Sequence, residues 1–155
     1  MPTASQGSEA TEWRSHLLKH TSQLGQVLSS VHRIAVIGIK PELVGGPAYY
    51  VPEYLQGAGY EIVPVPVYYP EVTEILGVAV HRSLHTVTPP ADMVLLFRRS
   101  GDVTQHLAEI LAATPRVVWM QQGISDAEMA ETLAKAGIDV VQDRCAMIEH
   151  RHVRQ

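Results

Sequence analysis

The chain has 155 residues, 46% of them hydrophobic, a formal net charge of −4 and a single cysteine, Cys145. That length suits one domain with a sizeable core, and a lone cysteine excludes an intramolecular disulfide. The negative charge argues against nonspecific nucleic-acid binding, no apolar run approaches the roughly 18 residues of a membrane span, and the N-terminus lacks the apolar core of a signal peptide, so a cytoplasmic protein without nucleic-acid or membrane partners is expected.

The small, polar stretch at 1–8 reads as a mobile tip. Trp13, Leu17, Leu24, Val27, Leu28 and Val31 then fall mostly at helical spacing, which predicts an amphipathic helix from Glu9 to about Ser29. Its apolar face must be covered, either by the domain's own helices or by a second copy of the chain, and a homodimer is slightly favoured. Residues 1–30 are thus expected as an N-terminal extension and 31–155 as the ligand-binding domain.

From Arg33 onwards short β-rich runs alternate with helical ones. Strands are expected near 33–38, 61–65, 78–80, 92–97, 116–120 and 138–141, with helices near 50–57, 101–113 and 125–136. This order predicts an α/β fold, a doubly wound and mostly parallel sheet with helices on both faces. The run at 78–80 is expected as a short edge strand. Ser100 is expected to cap the helix after the fourth strand, and "SDAE" at 125–128 reads as a capping box closed by Glu128. Gly59 and Gly137 stand where helices need a left-handed stop. Pro47 and Pro52 compete for the first turn of one helix, so the regular helix is expected to begin near Pro52.

In a doubly wound sheet ligands bind beyond the carboxyl ends of the strands, where the strand order reverses. The loops "GIKPELVGGP" (38–47) and "FRRSGD" (97–102) should flank that point. Gly38, Gly45 and Gly46 are expected to offer bare backbone N–H groups to an anion, and Arg98 and Arg99 to add charge ahead of a helix N-terminus. A dehydrogenase would instead require G-x-G-x-x-G here and an acidic residue ending the second strand. Glu61 opens that strand, and Val65 and Pro66 close it without a carboxylate, so a nicotinamide dinucleotide fits poorly.

The succession "IAVIG", "YVPEYLQGAGYEIVPV", "EILG", "FRRSGDV", "VWMQQGI" and "DRCAMIEH" resembles the small CoA-binding proteins, which are similar to the CoA-binding domain of the succinyl-CoA synthetase alpha subunit. The resemblance spans about Arg33 to Arg151. It implies a Rossmann-like fold and a bound CoA, and the expected function is a module that holds CoA or an acyl-CoA without catalysis of its own. Carried over by position, it implicates Gly38, Ile39 and Lys40 after the first strand, Val65 and Pro66 after the second, Phe97, Arg98, Arg99 and Ser100 after the fourth, and Gln121, Gln122, Gly123 and Ile124 after the fifth. This chain departs from the family at Ile39 and Lys40, where Ala-Ser is usual, at Ala48, where serine is common, and at Pro66, where asparagine is usual. Lys40 could replace the lost hydroxyl bonds with a charge on the diphosphate.

Glu149, His150 and His152 stand close together near the chain end without a second ligand pair, so no metal site is expected. Cys145 is expected as a buried structural residue. The alternatives are a thiol enzyme using Cys145 at the mouth of the crevice, or a ligand-free interaction subunit.

Overall fold

The computed structural model describes residues 12–153. In chain order they form α1 (Thr21–Ser30), β1 (Arg33–Ile37), α2 (Pro47–Gly57), β2 (Glu61–Val65), β3 (Glu74–Ile75), β4 (Val78–Ala79), β5 (Met93–Leu96), α3 (Leu107–Ala113), β6 (Val117–Met120), α4 (Ala127–Lys135), β7 (Asp139–Val141) and α5 (Ala146–Val153). Five strands pair in parallel in the order β2-β1-β5-β6-β7. Their continuous apolar runs follow from burial on both faces. Ile34, Val36, Leu95 and Trp119 enter one core with Leu24 and Leu28 of α1, Val51 and Leu55 of α2 and Ala146 of α5. The alternate residues Ala35, Ile37, Val94, Leu96, Val118 and Met120 enter a second core with Ile110 of α3 and Met129 and Leu133 of α4. The expected Rossmann-like, doubly wound α/β fold is therefore present. Among the described residues no helix is long and apolar enough to cross a membrane.

The expected N-terminal helix is interrupted. A single 3₁₀ turn at Trp13–His16 leads into an extended pair, and α1 starts only at Thr21. Leu17 bridges Val140 in parallel and the Leu18 N–H donates to the Val140 carbonyl at 2.9 Å. An edge strand left open would expose unpaired backbone groups, and this pair covers the edge of β7. Leu24 and Leu28 are fully or nearly fully buried within the chain itself. Each such side chain contributes about 1.5–3 kcal/mol, so they need no second copy to cover them. Residues 1–11, including the expected tip and helix start, lie outside the described residues.

Four local expectations are corrected. Val78–Ala79 forms no edge strand of the main sheet but a separate antiparallel hairpin with Glu74–Ile75. Ser100 does not cap the next helix. The chain enters a 3₁₀ segment at Ser100–His106, and the Ser100 hydroxyl accepts the Ser125 N–H at 3.0 Å. The capping residue of α4 is Asp126, whose carboxylate accepts the Met129 N–H at 2.9 Å, one position later than expected. Helix α2 begins at Pro47 and continues through Pro52. The N–H that Pro52 lacks would have reached the Ala48 carbonyl. That carbonyl is instead satisfied by the Lys40 N–H at 3.1 Å, which fastens the first loop to the helix. Gly59 and Gly137 do adopt positive φ, +109° and +85°.

Helix α5 was not expected at all. Its buried positions are Ala146, Glu149 and His150, so the apolar periodicity that marks a surface helix is absent.

Candidate functional site

Strand order reverses between β1 and β5, and the loops after these strands meet there. The meeting is tight. The Phe97 N–H donates to the Ile37 carbonyl and the Gly38 N–H to the Val65 carbonyl, each at 2.9 Å. Gly38 has φ +89°, and a Cβ on it would lie 2.1 Å from the Phe97 carbonyl oxygen. Glycine is required at this position so that two loops can pass. The expected anion cradle is thereby corrected: the N–H of Gly38 is used by β2, and that of Gly45 by the Pro41 carbonyl at 3.2 Å. What remains on this side is the N-terminus of α2, where Gly46, with φ +77°, precedes Pro47 and no side chain caps the helix. The first N–H groups of a helix lack intrahelical partners and sit at the positive end of its dipole.

Beyond these loops opens a cleft of about 720 Å³, lined among others by Lys40, Gly46, Ala48, Phe97, Arg98, Arg99, Gln121, Gln122 and Ile124. The remaining expected residues stand behind the lining. Gly38, Ile39, Val65 and Pro66 are buried under the loops. Ser100 joins the β5 loop to the β6 loop through Ser125, and the Gly123 N–H donates to the Asp143 carboxylate at 2.6 Å.

The electrostatics of the cleft differ from those of the whole chain. Lys40, Arg98 and Arg99 line it against a single carboxylate, Asp102. Arg99 is exposed, and among the described residues neither its side chain nor that of Lys40 has an ion-pair or hydrogen-bond partner. Arg98 lies over the Tyr68 ring, 5.7 Å from its centroid, and gives one N–H to the Gln105 amide oxygen at 3.2 Å. Its Nε is buried with no acceptor. An orphaned guanidinium N–H beside two unpartnered cations suits a multiply charged anion, because planar forks bind phosphate oxygens in pairs. Gln121, only 4% exposed, accepts the Ala146 N–H at 3.2 Å and lines the same cleft.

Cys145 also lines the cleft, yet it is 8% exposed and its carbonyl accepts the Glu149 N–H at the start of α5. The motif around it is chiefly structural. The Asp143 carboxylate holds Gly123, the Arg144 carbonyl accepts the Trp119 indole N–H at 2.8 Å, and the Arg144 guanidinium reaches the Lys19 carbonyl at 3.0 Å and Glu149 at 3.4 Å. Glu149 also lies 3.8 Å from His152, and the Tyr54 hydroxyl is 2.8 Å from Nδ1 of His150.

Tyr50 and Val51 of α2, Tyr68, and Met147 and Ile148 of α5 complete the lining and were not anticipated. No periodic signal marked the α5 residues, because the polar residues of that helix run consecutively from Glu149 to His152.

The segment 32–151 matches the CoA binding domain family. The uncharacterized protein YneT of Bacillus subtilis (strain 168) is 34% identical over 131 residues, which is 83% of this chain and 93% of that protein. Among solved structures, cell-free ID.343 of Thermus thermophilus is 37% identical, with a TM-score of 0.79 over 87% of this chain and 99% of its own. A protein of Pyrococcus horikoshii OT3 is 25% identical, with a TM-score of 0.80 over 88% and 94% of the two chains. Family match, shared length and shared fold together make this chain a member of the CoA binding domain family.

Proposed function

We propose that the cleft holds CoA by its anionic nucleotide end and that the chain binds without turnover of its own. The observation that carries the reading is the set Lys40, Arg98 and Arg99, with one buried guanidinium N–H lacking an acceptor, at the strand-order reversal beside an uncapped helix N-terminus. Family membership supports the same ligand. The volume is that of an ordinary small-molecule site. A nicotinamide dinucleotide is disfavoured, since the carboxylate needed for its ribose is missing where β2 ends at Val65 and Pro66. Glu61 lies at the opposite end of that strand, paired with Arg33. Among the described residues no histidine lines the cleft to act as a general base.

A ligand that binds only the folded state raises its melting temperature by mass action. CoA is expected to do so, while NAD and NADP at the same concentration are not. Equal shifts from all three would remove the reading. A second reading, thiol chemistry at Cys145, is favoured only by that residue's place in the cleft wall. Hydrolysis of an acyl-CoA by the purified protein, abolished in Cys145→Ala, would establish it. No hydrolysis is the expected result.

A further inference from the structure

The cleft has two chemically different sides. Its cations come from the loops after β1 and β5, whereas α2 contributes Tyr50 and Val51 and α5 contributes Met147 and Ile148. Neither helix places a cation in the lining.

Helix α5 departs from the usual arrangement at Ile148, Glu149 and His150. A short surface helix turns apolar residues inward and charged residues out. Here Glu149 and His150 are buried, held by Arg144 and by the Tyr54 hydroxyl, while Met147 and Ile148 line the cleft. Ile148 is 40% exposed and Tyr50, from α2, is 45% exposed. Burying Glu149 while Ile148 stays exposed costs stability, and sequences break such local rules where a function compensates. An apolar ligand group covering this wall would stabilise the complex in proportion to the area removed from water.

Resting on the CoA reading above, we infer that the cleft takes CoA as its thioester with an aliphatic acyl group, the chain lying against Tyr50, Met147 and Ile148. An acyl group ending in a carboxylate finds no cation on this wall among the described residues and is selected against.

Calorimetric titration of the full chain with CoA, hexanoyl-CoA and succinyl-CoA tests this. A fully buried methylene is worth about fourfold in affinity, and a half-exposed wall returns part of that. Hexanoyl-CoA is therefore expected to bind about tenfold tighter than CoA, and succinyl-CoA no tighter than CoA. Ile148→Ser and Tyr50→Ser alter exposed positions without adding charge, so both variants should fold. In each, the ratio of hexanoyl-CoA affinity to CoA affinity, read within the same variant, should fall from about ten towards one. Equal affinities for all three ligands overturn the acyl inference and leave CoA binding standing. A hexanoyl advantage that survives in both variants places the chain elsewhere and also overturns it. Binding of none of the three overturns the CoA reading together with this one.

Discussion

The two ends of the parallel sheet treat charge in opposite ways. At the amino end charges are answered by the protein itself. The Asp92 carboxylate accepts the N–H groups of His32 and Arg33 at 2.8 and 3.0 Å. Arg33 pairs with Glu61 and donates to the Pro89 carbonyl, and Arg116 reaches both the carbonyl and the hydroxyl of Ser30. At the carboxyl end the side chains of Lys40 and Arg99 find no partner among the described residues, and Arg98 buries an N–H without an acceptor. Sequence composition treats these arginines alike. Their surroundings separate a charge spent on holding strands together from one left available to a ligand.

The sharpest challenge to this contrast lies inside the carboxyl end, at Gly38, which is structural. A Cβ there would be 2.1 Å from a backbone oxygen, and φ is +89°. Strained backbone costs about 1–3 kcal/mol and overpacking about 1–3 kcal/mol, so Gly38→Ala should lose about 2–6 kcal/mol of stability. Urea unfolding checks it. A loss under about 1 kcal/mol would mean that the β1 and β5 loops can separate cheaply, and that Gly38 serves the ligand instead.

The next effect is on affinity. A hydrogen bond to a charged group is worth roughly 1.5–3 kcal/mol, or about tenfold to a hundredfold. Arg98→Ala and Arg99→Ala should each weaken CoA by an amount in that range, and Arg116→Ala at the amino end should not. CoA differs from dephospho-CoA by its 3′-phosphate. A mutant that loses CoA more than dephospho-CoA identifies the arginine on that phosphate, while equal losses put the arginine on the diphosphate. Unchanged affinity in both mutants would place the nucleotide outside this cleft.

Much of this was legible in the residues and some was not, for physical reasons. β2 could be placed residue for residue because its apolar run is bounded sharply by Glu61 and the Val65-Pro66 step. The two loops at the switch point follow from the parallel order alone. The role of Gly38 did not, because its demand comes from Phe97, 59 positions away in the chain. Helix α5 was hidden by its inward Glu149 and His150, and the Tyr54 hydroxyl that meets His150 comes from 96 positions away in the chain. The continuous helix expected from Glu9 to about Ser29 is interrupted because Leu17 serves the edge of β7 instead of a helix face.

At the amino end the prediction concerns stability and its pH dependence. Asp92 is held below the usual carboxylate range by the Arg33 N–H bond, against a smaller push upward from burial, with help from His32. Burial pushes Glu109 up, but its bonds from His106, Leu84 and Ser83 together outweigh it and the carboxyl is also depressed. A depressed carboxyl contributes stability that is complete above its unfolded value, near pH 4, and is lost as pH falls through the folded value. Asp92→Asn should therefore cost about 1–2 kcal/mol at pH 7. The gap from wild type should close as pH drops below about 4, and CoA affinity at pH 7 should stay unchanged. A gap that persists undiminished at pH 2.5 would show that Asp92 acts through shape and not charge.

The smallest effect separates ligand charge from protein charge. A phosphate monoester has its second pKa near 6, so the 3′-phosphate of CoA loses about one charge between pH 7 and pH 5, whereas the diphosphate stays ionised. If the 3′-phosphate meets the arginines, CoA should weaken severalfold over that range. Dephospho-CoA should change far less. The ratio of the two affinities is the quantity to read, because it cancels whatever the histidines of the chain do to the protein itself. Among the described residues no histidine lines the cleft, so local protonation should not compensate the lost ligand charge. A ratio that moves with an apparent pKa near 6 in wild type, and is flat in the arginine mutant that discriminates the two ligands, assigns that phosphate to that side chain. A ratio constant from pH 7 to pH 5 assigns the unpartnered cations to the diphosphate, and the 3′-phosphate then lies outside the carboxyl end's field.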